Sequence, residues 1–311
     1  MDQETSIQRV AVVGTGTVGA SWAAYFLAHG LDVVATDPGP NARDALFQFV
    51  ERAWPALTQI GLSKGASFDR LCFASDIAQA LEGTQLVQES APEREQLKID
   101  LLKSIDEHCG PEVIIASSSS GLLISSLQSA MTHPGRCLIA HPFNPPHLMP
   151  LVEIVAGEAT NPLVVDQALK FYRSIGKHPI HIQREVIGHV ANRLQAALFR
   201  EALHLLDEGV ASVADIDAAV MYGPGIRWAL MGPFLTLHLA GGEGGIEHFL
   251  DHLAEPFNSW FADLGSSFIT DQVADLVTQG VEAEAQQRSI TALVESRDVQ
   301  LIKLLTTITP L

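Results

Sequence analysis

The chain has 311 residues, 47% hydrophobic and 18% charged, the composition of a globular protein long enough for two domains. Nineteen basic residues against 36 acidic ones leave a net charge of −17, which argues against nucleic acid and anionic membrane as partners, since both need basic patches. Cys72, Cys109 and Cys137 have no ligand-like spacing and give neither a disulfide framework nor a metal site. No uncharged apolar run reaches the ~18 residues of a membrane span. The acidic start Met1-Asp2-Gln3-Glu4 is unlike a signal peptide, so a reducing, cytoplasmic compartment is expected.

Arg9 to Val13 reads as a buried parallel strand. Gly14-Thr15-Gly16-Thr17-Val18-Gly19 follows, then a helix from Ala20 to His29 and a strand from Asp32 to Asp37. In this order a GxGxxG loop has a mechanism: a tight turn at Gly14, close approach of a pyrophosphate at Gly16, and helix–strand packing at Gly19. The helix N-terminus offers N–H groups to phosphates. Asp37 stands where a carboxylate binds ribose hydroxyls and repels a 2′-phosphate, so NAD is expected rather than NADP. A glycine-rich turn in an unrelated α/β domain and an FAD site are the alternatives.

Residues 41–61 show helical spacing of Ala45, Leu46, Phe49, Val50, Ala53 and Leu57, with Pro55 bending the segment and Gly61 ending it. Short strands are expected at Leu71–Ala74, Leu86–Glu89 and Val113–Ala116, with a helix from Arg94 to Cys109. Ser117-Ser118-Ser119-Ser120-Gly121 then forms a hydroxyl-rich loop at a strand end, where open α/β sheets place ligands. A helix cap plus a turn would also use some of these serines.

Arg136–Ala140 is a strand that delivers His141 to a turn-rich loop, His141-Pro142-Phe143-Asn144-Pro145. Glu153 lies inside the apolar run Leu151–Val155, where a carboxylate is costly unless paired. A His–carboxylate pair is a general base with a fixed tautomer; a structural histidine and an edge-strand glutamate are the alternative. A helix at 161–176 and a strand at 178–182 close the domain near Arg184. Beyond Gly188 the pattern is helical throughout: 189–208, 215–221, and Trp228 to Leu239 entered through Pro233, with Tyr222–Gly225 as a turn.

These motifs together resemble the 3-hydroxyacyl-CoA dehydrogenase superfamily along nearly the whole chain. Gln88-Glu89-Ser90-Ala91-Pro92-Glu93 with Lys98 resembles its V-E-A-x-x-E-x-x-x-x-K segment, Ser117 to Leu122 its S-N-T-S-S-L, and His141 to Glu153 its H-F-F-N-P…L-V-E. Gly188-His189-Val190-Ala191-Asn192-Arg193-Leu194 resembles G-F-I-x-N-R-L, and Met231-Gly232-Pro233-Phe234 matches M-G-P-F. The resemblance implies an α/β Rossmann-type doubly wound sheet domain over residues 1–184, followed by an all-α C-terminal domain over 185–311. It implies a His141–Glu153 catalytic dyad assisted by Ser120 and Asn192, with Glu93 and Lys98 joining Gly14–Gly19 and Asp37 at NAD.

Departures from the pattern bear on the substrate. Residues 41–61 hold no lysine-rich patch for CoA, and Gly225 to Thr236 is similar to the small-substrate branch. A small 3-hydroxy acid is implied, L-carnitine first. L-gulonate or a short acyl-CoA thioester remains open, as does a non-catalytic NAD-binding, crystallin-like role. Phe143, Tyr222, Trp228, Phe234 and Trp260 are candidates for a quaternary ammonium group, with core packing as the alternative for each. Arg227 is the candidate for the substrate carboxylate, or else a surface ion-pair residue. A homodimer through the apolar helical domain is expected.

Overall fold

The computed structural model describes residues 7–308; the acidic start at Met1 to Glu4 lies outside the described residues. The chain divides into a unit ending at Asn192 and a second beginning at Arg193. The first alternates strand and helix: β1 (Arg9–Val13), α1 (Thr17–Ala28), β2 (Asp32–Thr36), α2 (Ala42–Ile60), β3 (Leu71–Phe73), α3 (Ile77–Leu81), β4 (Leu86–Glu89), α4 (Glu95–His108), β5 (Ile114–Ser117) and α5 (Ile124–Leu127). Then come β6 (Cys137–Pro142), β7 (Leu151–Ala156), α6 (Pro162–Ser174) and β8 (His178–Ile182).

The strands form one sheet in the order β3-β2-β1-β4-β5-β6-β7-β8. Neighbours from β3 through β6 pair in parallel, so these strands share one C-terminal edge. β7 runs antiparallel to β6, and β8 parallel to β7. Alternation along each strand sends side chains to both faces. Val10 and Val12 pack under α1 and α6, including Trp22, Phe26 and Tyr172. Ala11 and Val13 pack on the opposite face with Leu102, Ile105 and Leu127 of α4 and α5. A doubly wound Rossmann-type sheet is therefore present, as the alternating pattern requires.

Two readings need correction. His141 is not in a loop: β6 continues through Pro142, because its ladder with β7 reaches His141↔Glu153 and Pro142↔Val152. Proline loses little there, since Phe143 N still donates to Leu151 O at 3.4 Å and the alternation of an antiparallel ladder makes Pro142↔Val152 a non-hydrogen-bonded pair. The segment from Trp228 to Leu239 is not one helix. α7 (Ala191–Asp207), α8 (Val213–Tyr222) and α9 (Pro224–Trp228) precede a break, and α10 (Pro233–Ala240) restarts at proline. Gly232, before that proline, is extended at ψ 175, as the proline ring demands. The turn expected at Tyr222–Gly225 runs directly into α9.

The second unit is completed by α11 (Gly245–Asp263), α12 (Asp271–Ala285) and α13 (Ile290–Thr307). Its buried apolar side chains among the described residues are Leu203, Phe249, Val273 and Ile302. Tyr222, Phe234, Phe268 and Ile290 are each more than three-quarters exposed, at 78%, 83%, 82% and 77%. No helix among the described residues is long and apolar enough to cross a membrane.

Candidate active site

The first loop is built from its glycines. Gly14 takes φ +90, a left-handed conformation open to glycine, and a Cβ on Gly19 would collide with the Gly14 carbonyl. A Cβ on Gly16 would meet nothing within 4 Å, so the backbone there lies open to a close-approaching group. α1 begins at Thr17 without a side-chain cap, leaving its first N–H groups available to an anion. Asp37 Oδ2 accepts from Thr15 N at 2.7 Å and Oδ1 from Gly39 N at 2.7 Å. Asp37 thus ties the glycine loop to the end of β2. Open backbone, uncapped helix and carboxylate fit a dinucleotide.

Beside this loop, β4 and β5 end in a buried charge network. Lys98 and Glu89 are 1% and 0% exposed and pair at 2.8 Å. Ser117 Oγ and Ala91 N also donate to Glu89, at 2.5 and 2.6 Å. Lys98 therefore does not reach the surface; its ammonium braces the loop from beneath and lies 3.7 Å from Glu93. Glu93 Oε1 accepts from Ser119 Oγ, Ser120 N and Gly121 N at 2.7, 2.9 and 3.0 Å. Burial works against ionisation of Glu93, but Ser119, Lys98 and the two N–H groups hold it below the ordinary carboxylate range.

At the end of β6, direct pairing across the antiparallel ladder puts His141 and Glu153 on the same face. His141 Nδ1 lies 2.8 Å from Glu153 Oε2, with both side chains buried. The other oxygen, Oε1, accepts from Val190 N and Ala191 N, each at 2.9 Å, where the positive end of α7 favours an anion. Desolvation raises the Glu153 carboxyl, yet the His141 bond and then the Ala191 and Val190 N–H groups hold it below its ordinary value. A carboxylate only accepts, so Nδ1 carries the proton and Nε2 of His141 is left as a base.

The structure gathers Ser120, Asn192 and Phe143 around this pair. Asn192 Nδ2 donates to the Ser120 carbonyl at 3.1 Å, and the Phe143 ring stands edge-on to His141 with centroids 6.4 Å apart. Arg227 and Trp228 belong to the second unit, exposed on α9. His189, a motif residue to which the sequence assigns no role, is 1% exposed and has its ring 5.2 Å from that of His141. Its backbone is left-handed at φ +51, a conformation costing about 1–3 kcal/mol without glycine. The signal was a histidine standing second in a motif whose pattern has phenylalanine there.

A glycine loop open for a dinucleotide and a buried histidine base on the same sheet edge define an NAD-dependent dehydrogenase acting on an alcohol. Residues 9–186 match the 3-hydroxyacyl-CoA dehydrogenase NAD binding domain, and residues 188–289 match the C-terminal domain of that name. The chain belongs to the 3-hydroxyacyl-CoA dehydrogenase family. It is 48% identical to an L-carnitine dehydrogenase of Bacillus cereus, over 97% of this chain and 93% of that one. It is 49% identical to an L-carnitine dehydrogenase of Streptomyces griseus, over 96% and 89%. Among solved structures it resembles 5-formyl-3-hydroxy-2-methylpyridine-4-carboxylic acid 5-dehydrogenase, an NAD-dependent dismutase, with TM-score 0.83, 31% identity and coverage of 97% and 100%. It also resembles the (S)-3-hydroxybutyryl-CoA dehydrogenase of Ralstonia eutropha, with TM-score 0.65, 30% identity and coverage of 83% and 89%.

Proposed function

We propose that this enzyme oxidises the 3-hydroxyl of L-carnitine to the ketone. The observation that carries the chemistry is the His141–Glu153 pair, and the likeness to L-carnitine dehydrogenases over nearly the full length carries the substrate. His141 Nε2 accepts the hydroxyl proton, and Glu153 stabilises the imidazolium that results. Gly14–Gly19 and Asp37 would hold NAD, which when bound would supply the acceptor for the hydride from C3. Ser120 holds the substrate oxygen, and Asn192 sets that serine through its carbonyl. Glu93 and Lys98 shape the loops next to the cofactor. Phe143 presents an aromatic surface beside His141, suited to the trimethylammonium group; Arg227 and Trp228, exposed on α9, are the further residues assigned to substrate recognition.

NAD reduction with L-carnitine, L-gulonate and 3-hydroxybutyryl-CoA tests the reading. L-Carnitine is expected to give the highest kcat/KM, and a higher value for either rival replaces it as substrate.

We further infer a homodimer formed through the helical domain, working in the cytoplasm. Ile226, Phe234, Trp260, Phe261, Phe268 and Ile290 all stand exposed along the segment from α9 to α13, and large apolar side chains left in water together mark an interaction surface. Cys72, Cys109 and Cys137 are free thiols, in keeping with a reducing compartment. Sedimentation should give twice the chain mass; a monomer at micromolar concentration refutes the dimer.

A further inference from the structure

The loop Ser119–Gly121 is gripped from two sides. Glu93 takes its N–H groups. Its carbonyls are taken by two side chains of one short segment: Asn192 Nδ2 on Ser120 O, and His189 Nε2 on Ser119 O at 3.1 Å. Between those two residues, Val190 N and Ala191 N hold Glu153. Residues 189–192 therefore tie the serine loop and the dyad carboxylate to a single piece of backbone.

His189 adds something that burial alone does not explain. A carbonyl only accepts, so Nε2 carries the proton and Nδ1 is a bare acceptor. Nδ1 is buried with no hydrogen-bond partner among the described residues, which is costly. A phenyl ring, as in the family pattern, fills the same space without that cost. What the imidazole supplies in exchange is the Nε2–H on Ser119, together with a ring face against His141 at 5.2 Å and 52°.

We propose that His189 is a positioning residue for the reaction, fixing Ser120 relative to His141 by holding the Ser119 carbonyl and packing on the His141 ring. Resting on the dyad assignment above, this accounts for how one substrate oxygen meets a serine hydroxyl from the loop after β5 and an imidazole from β6. Burial first, and then the nearby His141, lower the His189 pKa against the opposing influence of Ser119, Glu153 and Glu93. The ring is thus neutral, and it places no second cation beside a base that must take up a proton.

The test compares His189→Phe with His189→Gln, whose amide nitrogen can replace the Nε2–H, in the wild-type and Ser120→Ala backgrounds. Calorimetry reads NAD affinity, and turnover is measured with the best of the three substrates. For His189→Phe we expect kcat to fall about tenfold while NAD affinity changes by less than about twofold. His189→Gln should return to within about threefold of wild type, and in Ser120→Ala the phenylalanine penalty should shrink below about threefold. Turnover of His189→Phe equal to wild type, no rescue by glutamine, or an equal penalty in both backgrounds overturns the proposal. His189→Leu takes the place of phenylalanine should that variant not fold. His141→Ala is the control: if it turns over normally the dyad assignment itself fails, whereas an inactive His141→Ala beside an unimpaired His189→Phe refutes the positioning role alone.

Discussion

The backbone N–H of Ala191 donates to Glu153 Oε1 at 2.9 Å, so the first turn of α7 ends on the carboxylate that orients His141. Val190 N shares that oxygen, and the opposite oxygen faces His141 Nδ1. Both oxygens of the carboxylate are thus engaged. Its ionisation and its direction are fixed together, before any substrate arrives.

Glu153→Gln tests that arrangement. An amide can still meet Nδ1, but through either its oxygen or its NH2, and it cannot offset an imidazolium. We expect kcat to fall about 10²–10⁴-fold, as when the aspartate of a serine-protease triad is neutralised, with NAD affinity unchanged. Stopped-flow NADH formation reads this; a loss below about tenfold means that Glu153 contributes little beyond packing.

Much of this architecture was legible because local chemistry repeats at fixed spacing. Val10 to Val13, Val33 to Ala35 and Ile114 to Ala116 are short apolar runs that only a two-sided sheet can bury, and Gly14 to Gly19 with Asp37 names its own ligand. What could not be read depends on partners far along the chain. His141 belongs to a strand because Glu153 and Val152 extend the ladder, although Pro142 and Asn144 signal a turn. Glu93 reaches Ser120 and Gly121 across 27 and 28 residues, and no periodicity announces that. His189 lies in a left-handed pair with Gly188, at φ +51 and +76, which a window of sequence does not reveal.

Lys98 separates a buried brace from a cofactor ligand. Lys98→Met leaves Glu89, at 0% exposure, with only Ser117 Oγ and Ala91 N as donors. Breaking one side of such a pair costs about 3–5 kcal/mol. The double variant Lys98→Met/Glu89→Leu removes both charges and should recover part of that loss. Urea unfolding measures the stabilities. An unchanged midpoint with a raised KM for NAD would instead make Lys98 a direct cofactor contact.

Acid should unfold the sheet domain in stages. Burial raises Glu93, Asp106 and Glu153, but their hydrogen-bond and charge partners outweigh it and leave all three lowered. A carboxyl lowered in the fold stabilises above its unfolded pKa, and that contribution disappears as pH falls through the folded value. Burial lowers His29 and His189; each stays neutral where the unfolded chain binds a proton, so stability begins to fall below the ordinary imidazole range. Thermal midpoints taken from pH 8 to 3 should drop gently below about 6.5 and steeply in the carboxylate range. A flat profile would mean that these groups are not held as the structure shows.

The two later glycines of the dinucleotide loop should fail in different ways. A Cβ on Gly19 collides with the Gly14 carbonyl and crowds Ser90, so Gly19→Ala must push α1 away from β1 and its loop. That variant should lose both NAD affinity and thermal stability. A Cβ on Gly16 meets no protein atom within 4 Å, and the fold has no reason to object to it. The methyl group nevertheless stands where the loop backbone must approach the pyrophosphate. Gly16→Ala should therefore melt within about 2 °C of wild type, while binding NAD at least about tenfold more weakly, a loss of roughly 1.4 kcal/mol. Calorimetry and a thermal scan on the same samples decide it. Normal NAD binding by Gly16→Ala would place the pyrophosphate elsewhere on the sheet edge.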